Sequence, residues 1–210
     1  MQLMGAKGRM PPMNIQPVTL EGRVVRLEPM GVQHLDGLVA IALGHDIFRW
    51  YPFAMATSAD VEQWLRNLVA GREAGSTLPF TTIERASGRV VGSTSYLAID
   101  AANRRLEIGS TWLGVPWQRS ACNTETKYLQ LRHCFEELGC MRVEFKTDSN
   151  NQRSRAALVR IGAVEEGTFR NHMLCPGGRI RHSVYFSIID SEWPAVKQRL
   201  EAKLEQQGGP

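Results

Sequence analysis

Residues 112–125, from Trp112 to Glu125, read W-L-G-V-P-W-Q-R-S-A-C-N-T-E, and the way this stretch folds decides the architecture around it. An alternating run ends at Trp112, Gly114 and Pro116 interrupt it, and from about Asn123 to Leu138 the apolar residues Leu131, Cys134, Phe135 and Leu138 recur at helix spacing. The segment is therefore a strand, an irregular loop and a helix. The first-turn amides of a helix lack intrahelical acceptors and stand at the positive end of its macrodipole, so the junction suits an anion such as a pyrophosphate. A hydrogen bond to a charged partner contributes about 1.5–3 kcal/mol, so several such amides suffice.

Upstream, Arg23–Glu28 alternates as a strand stopped by Pro29. Leu35, Leu38, Val39, Ala42 and Leu43 then mark a helix. A second helix is expected from Ser58, whose hydroxyl is read as its cap, with Val61, Trp64, Leu65, Leu68 and Val69 on one face and Gly71 and Gly75 at its end. Three strand-like runs follow, Thr77–Arg85, Arg89–Ile99 and Arg105–Trp112, separated by turn residues, which is the pattern of an antiparallel meander. Downstream of the helix, Met141–Thr147 reads as a buried strand and Asn151–Ile161 as a helix stopped by Gly162. Val164–Leu174 and Ile180–Ile189 form a hairpin around Pro176-Gly177-Gly178, and Glu192–Leu204 is a terminal helix. The whole is one α/β (α+β) domain over residues 21–205, with a mixed, largely antiparallel sheet of about seven strands flanked by helices. Residues 1–20 are expected to be a flexible extension and 206–210 a tail.

At 210 residues, 43% hydrophobic and 22% charged, the chain has the material for one sizeable core, and no apolar run approaches the ~18 residues of a membrane span. The start of the chain lacks the apolar segment of a secretory signal, and Cys122, Cys134, Cys140 and Cys175 form no C-x-x-C pair. A reducing, cytoplasmic setting is expected, with neither disulfides nor a metal site. A net charge of +4 suits a phosphorylated cofactor as well as nucleic acid, but the arginines form no run and no basic-aromatic stripe is present, so nucleic acid is not the expected partner.

The order of elements, together with Glu107-Ile108-Gly109, Gln118–Glu125, Thr147-Asp148, Asn151-x-x-Ser154, Gly162-Ala163, Glu166-Gly167, Arg170, Gly178 and Glu192-Trp193, resembles the GNAT superfamily of acyl-CoA-dependent N-acyltransferases. The likeness is to its RimJ/RimL-like branch and spans roughly residues 22–200. It implies an enzyme that moves an acetyl group from acetyl-CoA to a primary amine, either a protein N-terminus or a small molecule, by direct attack and with no metal. A homodimer is compatible with it.

The family's pyrophosphate loop, Q/R-x-x-G-x-G/A, falls on Gln118, Arg119, Ser120, Ala121, Cys122 and Asn123, and the resemblance adds Leu113, Val115, Thr124, Asn151 and Ser154 to the cofactor contacts. Ala121 stands where the family has glycine, which costs on the order of 1–2 kcal/mol if that backbone needs positive φ. Asn123 replaces the last small residue and is expected as the helix N-cap. Alternation places Glu107, Gly109 and Thr111 on one face. Glu107 is then either a base acting through water, as the family's carboxylate does, or a structural partner of Arg104 or Arg105. Ser154 and Tyr185 compete to protonate the leaving thiolate. Trp50, Tyr51 and Phe53 either line the acceptor groove or pack in the core, and His182 stands where related sequences carry an acid. Cys122, at a helix N-terminus, is a rival nucleophile without a nearby base in sequence, and His133 is expected to be a surface group. The competing function is a non-catalytic CoA-sensing or partner-binding module of the same fold.

Overall fold

Leu106 and Ile108 turn to one side of their strand and Glu107 to the other, and the layers of the molecule follow from that alternation. Residues 13–207 are described by the computed structural model. Its strands are Leu20–Glu21 (β1), Val25–Pro29 (β2), Leu78–Glu84 (β3), Val90–Asp100 (β4), Arg105–Leu113 (β5), Arg142–Asp148 (β6), Val164–Leu174 (β7) and Ile180–Ile189 (β8). They form one sheet of eight, ordered β1-β2-β3-β4-β5-β6-β8-β7. Every neighbouring pair is antiparallel except β5 and β6. A parallel pair needs a long crossover, which the helix after residue 120 supplies.

The helices are Leu35–Ala42 (α1), Ser58–Glu73 (α2), Ala121–Arg132 (α3), Gln152–Ile161 (α4) and Trp193–Gln207 (α5). Phe80, Tyr96, Leu106, Ile108, Phe145 and Phe186 pack one side of the sheet against Leu129 and Leu131 of α3 and Val196 and Leu200 of α5. On the other side Met30 and Trp112 pack with Leu38 of α1 and Trp64 and Leu65 of α2. None of the described helices is long and apolar enough to cross a membrane.

Several expectations change in detail. The sheet has eight strands, not seven, because Leu20–Glu21 pairs with Leu27–Arg26. A two-residue strand carries no readable period. The stretch from Met13 to Leu20, expected as part of a loose extension, packs on the core through buried Met13 and Leu20. The remainder of that extension, residues 1–12, and tail residues 208–210 lie outside the described residues, while 206 and 207 belong to α5.

The cap of α2 is Thr57, not Ser58: its hydroxyl accepts the Asp60 amide at 3.2 Å, and Asp60 Oδ2 accepts the Thr57 amide at 2.8 Å. Ser120, not Asn123, caps α3, its Oγ accepting the Cys122 amide at 3.2 Å. His133 is buried, not on the surface. It continues the buried face of α3 that carries Thr126, Leu129 and Gln130, its Nδ1 lies 3.0 Å from the Tyr96 hydroxyl, and burial holds the imidazole below its ordinary pKa.

Candidate active site

β5 and β6 pair only over Arg105–Glu107 and Arg142–Glu144. Past that point β5 stays with β4 as far as Leu113 and β6 stays with β8 as far as Asp148, so the two strands diverge from Glu107. The edge of β5 that faces β6 therefore has no strand partner from Ile108 onward, and such an edge is open to an extended ligand. Ser110, at φ +48, lies in a β-bulge within this free stretch. The bulge breaks the expected alternation. Thr111 turns away from Glu107 and Gly109 toward α3, where its hydroxyl lies 2.7 Å from Lys127 Nζ and 2.7 Å from Thr94 Oγ1.

The loop after β5 is held by three of its own side chains. Trp117 Nε1 donates to Glu84 Oε1 at 2.9 Å, Gln118 Nε2 to the Leu113 carbonyl at 2.9 Å, and Ser120 Oγ to the Trp117 carbonyl at 2.7 Å. Val115 lies in the single 3-10 turn of this loop and is exposed, whereas Leu113 is buried at the strand end. Arg119, not Ala121, takes the left-handed conformation, with φ +63. Ala121 is the first residue of α3, followed by Cys122, Asn123 and Thr124 in the first turn, so the expected strain at Ala121 does not arise. Ser120 occupies only the Cys122 amide among these first-turn donors.

Cys122 is buried, and burial pushes its thiol above the ordinary value, with Ser120 opposing. That is the reverse of what a nucleophile needs, so the rival role falls away. On the other wall, Asn151 caps α4 by accepting the Ser154 amide at 3.0 Å, which places Ser154 in the first turn. Arg153 of the same turn donates to Gln118 Oε1 at 2.8 Å and ties the two walls of the fork together.

Glu107 is 5% exposed, and its partner is Lys146 of β6, with Nζ 3.2 Å from Oε2. Neither expected arginine holds it: Arg105 reaches Asp100 and Glu144, and Arg104 donates to the Gly139 carbonyl. Burial raises the Glu107 carboxyl above its ordinary pKa against the opposing pull of Lys146. Tyr185 stands opposite Lys146 across β6 and β8, its ring 5.8 Å from Nζ and packed on Phe169 and His172. Glu107, Lys146 and Tyr185 thus occupy the sheet face away from α3.

Above that face runs the segment carrying Trp50, Tyr51 and Phe53. Tyr51 and Phe53 pack with Phe48 of the α1/α2 core, and the Tyr51 hydroxyl donates to the Thr111 carbonyl at 2.5 Å, fixing the segment to β5 just past the bulge. Burial raises the Tyr51 phenol well above its usual range, so it stays protonated as that donor. The Trp50 ring carries Arg49 and Arg179 at 5.0 and 5.5 Å. His182 Nδ1 accepts the Asn171 amide at 2.8 Å, and with Phe169, Arg170, Asn171 and His172 it lines a recess of about 700 Å³.

The sequence reading missed three charges, Arg181 and Lys127 buried and Lys146 half-buried. Lys146 shares its face of β6 with Arg142 and Glu144, and only the pairing of β5 with β6 shows that it meets Glu107. Arg181 required the register of β8. Lys127 looks like an ordinary helix-surface lysine until α3 is docked on the sheet. Among the described residues no cluster of His, Cys, Asp or Glu forms a metal site.

This constellation has counterparts. Residues 25–164 match the Acetyltransferase (GNAT) domain family. The chain is 30% identical, over 181 residues covering 81% of it and 92% of the relative, to a Bacillus subtilis (strain 168) protein named "Putative ribosomal N-acetyltransferase YdaF". Its fold superimposes on a GCN5-related N-acetyltransferase from Brucella melitensis with TM-score 0.87 and 37% identity, covering 94% of this chain and 90% of that one. It also superimposes on Mycobacterium smegmatis RimJ in complex with CoA-disulfide, with TM-score 0.77, 26% identity and coverage of 92% and 97%. The forked sheet with a helix N-terminus at its mouth is thus that of an acetyltransferase, and the chain belongs to the GNAT family, in its RimJ/RimL-like branch.

Proposed function

We propose that the protein transfers an acetyl group from acetyl-CoA to a primary amine, either a protein N-terminus or a small molecule, by direct attack of the amine. The observation that carries this reading is the divergence of β5 from β6 at Glu107. The free β5 edge offers backbone groups to the amides of a pantetheine arm, and the first-turn amides of α3 offer donors to a pyrophosphate. Leu113, Val115, Gln118, Arg119, Ser120, Ala121, Cys122, Asn123 and Thr124 hold the cofactor on one wall, and Asn151 and Ser154 on the other. Bound there, acetyl-CoA supplies an activated thioester.

The chain's own groups then manage protons. Glu107, held by Lys146 and raised by burial, takes the proton of the attacking amine through water. Two hydroxyls flank the fork for return of a proton to the leaving thiolate, Ser154 in the first turn of α4 and Tyr185 on β8. Trp50, Tyr51 and Phe53 line the acceptor side. An α-amine fits this economy of catalytic groups: with a pKa of about 7.7–8.0 roughly one-tenth of it is neutral at pH 7, against less than about one part in a thousand for lysine.

Thiol release from acetyl-CoA, measured against a panel of peptides and small amines, tests the reading, with the melting temperature followed as CoA is added. A CoA-dependent rise with amine-dependent thiol release is expected. A rise without turnover on any amine would instead support the CoA-sensing module, and no rise at millimolar CoA would remove the cofactor site.

A further inference from the structure

Arg181 is 5% exposed, the second residue of β8, on the same face as Tyr185. Its Nε donates to Ser183 Oγ at 3.1 Å, and Nη1 approaches the Trp50 carbonyl at 3.4 Å. Among the described residues no carboxylate lies within 4.0 Å of it. The acids nearby are already engaged. Glu107 is held by Lys146, while Asp148 accepts Arg179 Nη1 through Oδ2 and the Asn150 amide through Oδ1. Arg179, stacked on the Trp50 ring, keeps Nη2 buried without a hydrogen-bond partner. Tyr185, on the same face, packs on His172, whose Nδ1 is likewise buried and unpartnered.

A guanidinium taken out of water with no carboxylate in contact is costly, and the fold bears that cost next to the aromatic segment that covers the acceptor side. The planar fork of an arginine matches a carboxylate with two parallel hydrogen bonds. We propose that Arg181, with Arg179 beside it, receives a carboxylate carried by the acceptor, so that the substrate class is an amine with a carboxylate close to it. This rests on the reading of the fork as an amine acetylation site. The carboxylate has two possible sources: the α-carboxylate of a small amino acid, or the side chain of an acidic residue next to a peptide N-terminus.

The test offers wild-type enzyme and acetyl-CoA two matched acceptor pairs. One is a C-terminally amidated peptide beginning Ser-Glu against the same peptide beginning Ser-Gln. The other is alanine against alaninamide, each kcat/KM referred to the neutral-amine fraction of its acceptor because the carboxylate also raises the amine pKa. In one pair the carboxylate member should have a kcat/KM at least about tenfold higher, the size expected of a charge-assisted hydrogen bond, and the pair that shows it names the source. Arg181→Gln should bring that ratio to about one, and Arg181→Lys should restore part of it. Equal kcat/KM within both pairs, with turnover present, overturns the carboxylate site and leaves amine acetylation standing. An Arg181→Gln enzyme that slows both members of a pair equally makes the residue structural and also overturns it. Should that variant not fold, the wild-type ratio and the Arg181→Lys ratio decide. No turnover on any of the four acceptors or on the wider amine panel removes the underlying reading, and this proposal with it.

Discussion

Lys146 Nζ stands 3.2 Å from Glu107 Oε2, so the buried carboxylate at the fork is balanced by a cation from the adjoining strand and not by the arginines at the start of its own. Lys146 pulls the Glu107 carboxyl down while burial pushes it up, and burial wins. Removing the cation must therefore raise the carboxyl further. In Lys146→Met the acid limb of the kcat/KM profile should move to higher pH. Glu107→Gln should lower turnover by about 10²-fold or more, with a deficit that shrinks as pH climbs toward the amine pKa. CoA affinity, followed by thermal shift, should stay close to wild type in both. Parallel losses of stability and activity would mark the pair as structural.

Lys127 presents the opposite case, a buried cation without an acid. Its Nζ contacts Thr111 and Thr94 hydroxyls and Gln130 Oε1 at 2.7, 3.4 and 3.4 Å, and burial brings its pKa from 10.5 to about 7. Because the folded value is the lower, the unfolded chain binds more protons between pH 7 and 10.5, and stability rises with pH across that window. At about 1.36 kcal/mol per unit the displacement corresponds to roughly 5 kcal/mol, fully expressed as a penalty below pH 7 and gone above pH 10.5. Lys127→Met should therefore be more stable than wild type at pH 7, with an advantage that fades toward pH 10. Urea denaturation at several pH values measures this, and a pH-independent difference would show that the amine does not titrate in the window.

Glu125 holds the start of the sheet. Its carboxylate accepts the backbone amides of Arg23, Val24 and Val25 at 2.8, 2.6 and 2.7 Å, so one side chain of α3 satisfies three donors of the chain entering β2. An added Cβ at Gly22 would lie 2.4 Å from Glu125 Oε2, so that carboxylate also explains the glycine. Glu125→Ala leaves the amides without a protein acceptor and should cost at least about 3 kcal/mol, at about 1–3 kcal/mol for each orphaned group. Amide exchange at residues 23–25 should accelerate with it. Gly22→Ala should destabilise by displacing the same carboxylate.

Long elements with a clean period were legible in the sequence. The meander β3–β4–β5, the strand β6, the β7–β8 hairpin and the helices α1 and α4 lie where alternation, helix spacing and turn residues put them. One irregular residue in a strand shifts the phase of everything after it. The bulge at Ser110 turns Thr111 away from Glu107, whereas His133 is buried because the face of α3 it shares with Thr126, Leu129 and Gln130 docks on the sheet. Glu107, Tyr185 and the loop from Gln118 were legible as candidates because they carry motif or face information. Their partners Lys146, Arg153 and Arg181 were not, since pairing across β6, α4 and β8 depends on register that no local window contains.

The loop from Gln118 to Asn123 carries the last prediction, and it turns on where the backbone is left-handed. Ala121 opens α3, and the positive φ of the loop belongs to Arg119, at +63. Glycine at position 121 therefore relieves no strain and only loosens the first helical turn, at a cost of up to about 1 kcal/mol. Ala121→Gly should bind CoA within about twofold of wild type and melt slightly lower. Glycine at 119 fits the conformation already present, so Arg119→Gly should raise stability by up to about 1 kcal/mol, while the loss of a cation beside the α3 N-terminus should weaken CoA binding. Ser120→Ala removes the cap of α3 and should cost about 1 kcal/mol. Titration calorimetry with CoA and thermal melts of the three variants measure both quantities. A tightening of more than about threefold in Ala121→Gly would mean that position 121 leaves the helical conformation when the pyrophosphate is bound, and would return the missing glycine to the account of affinity.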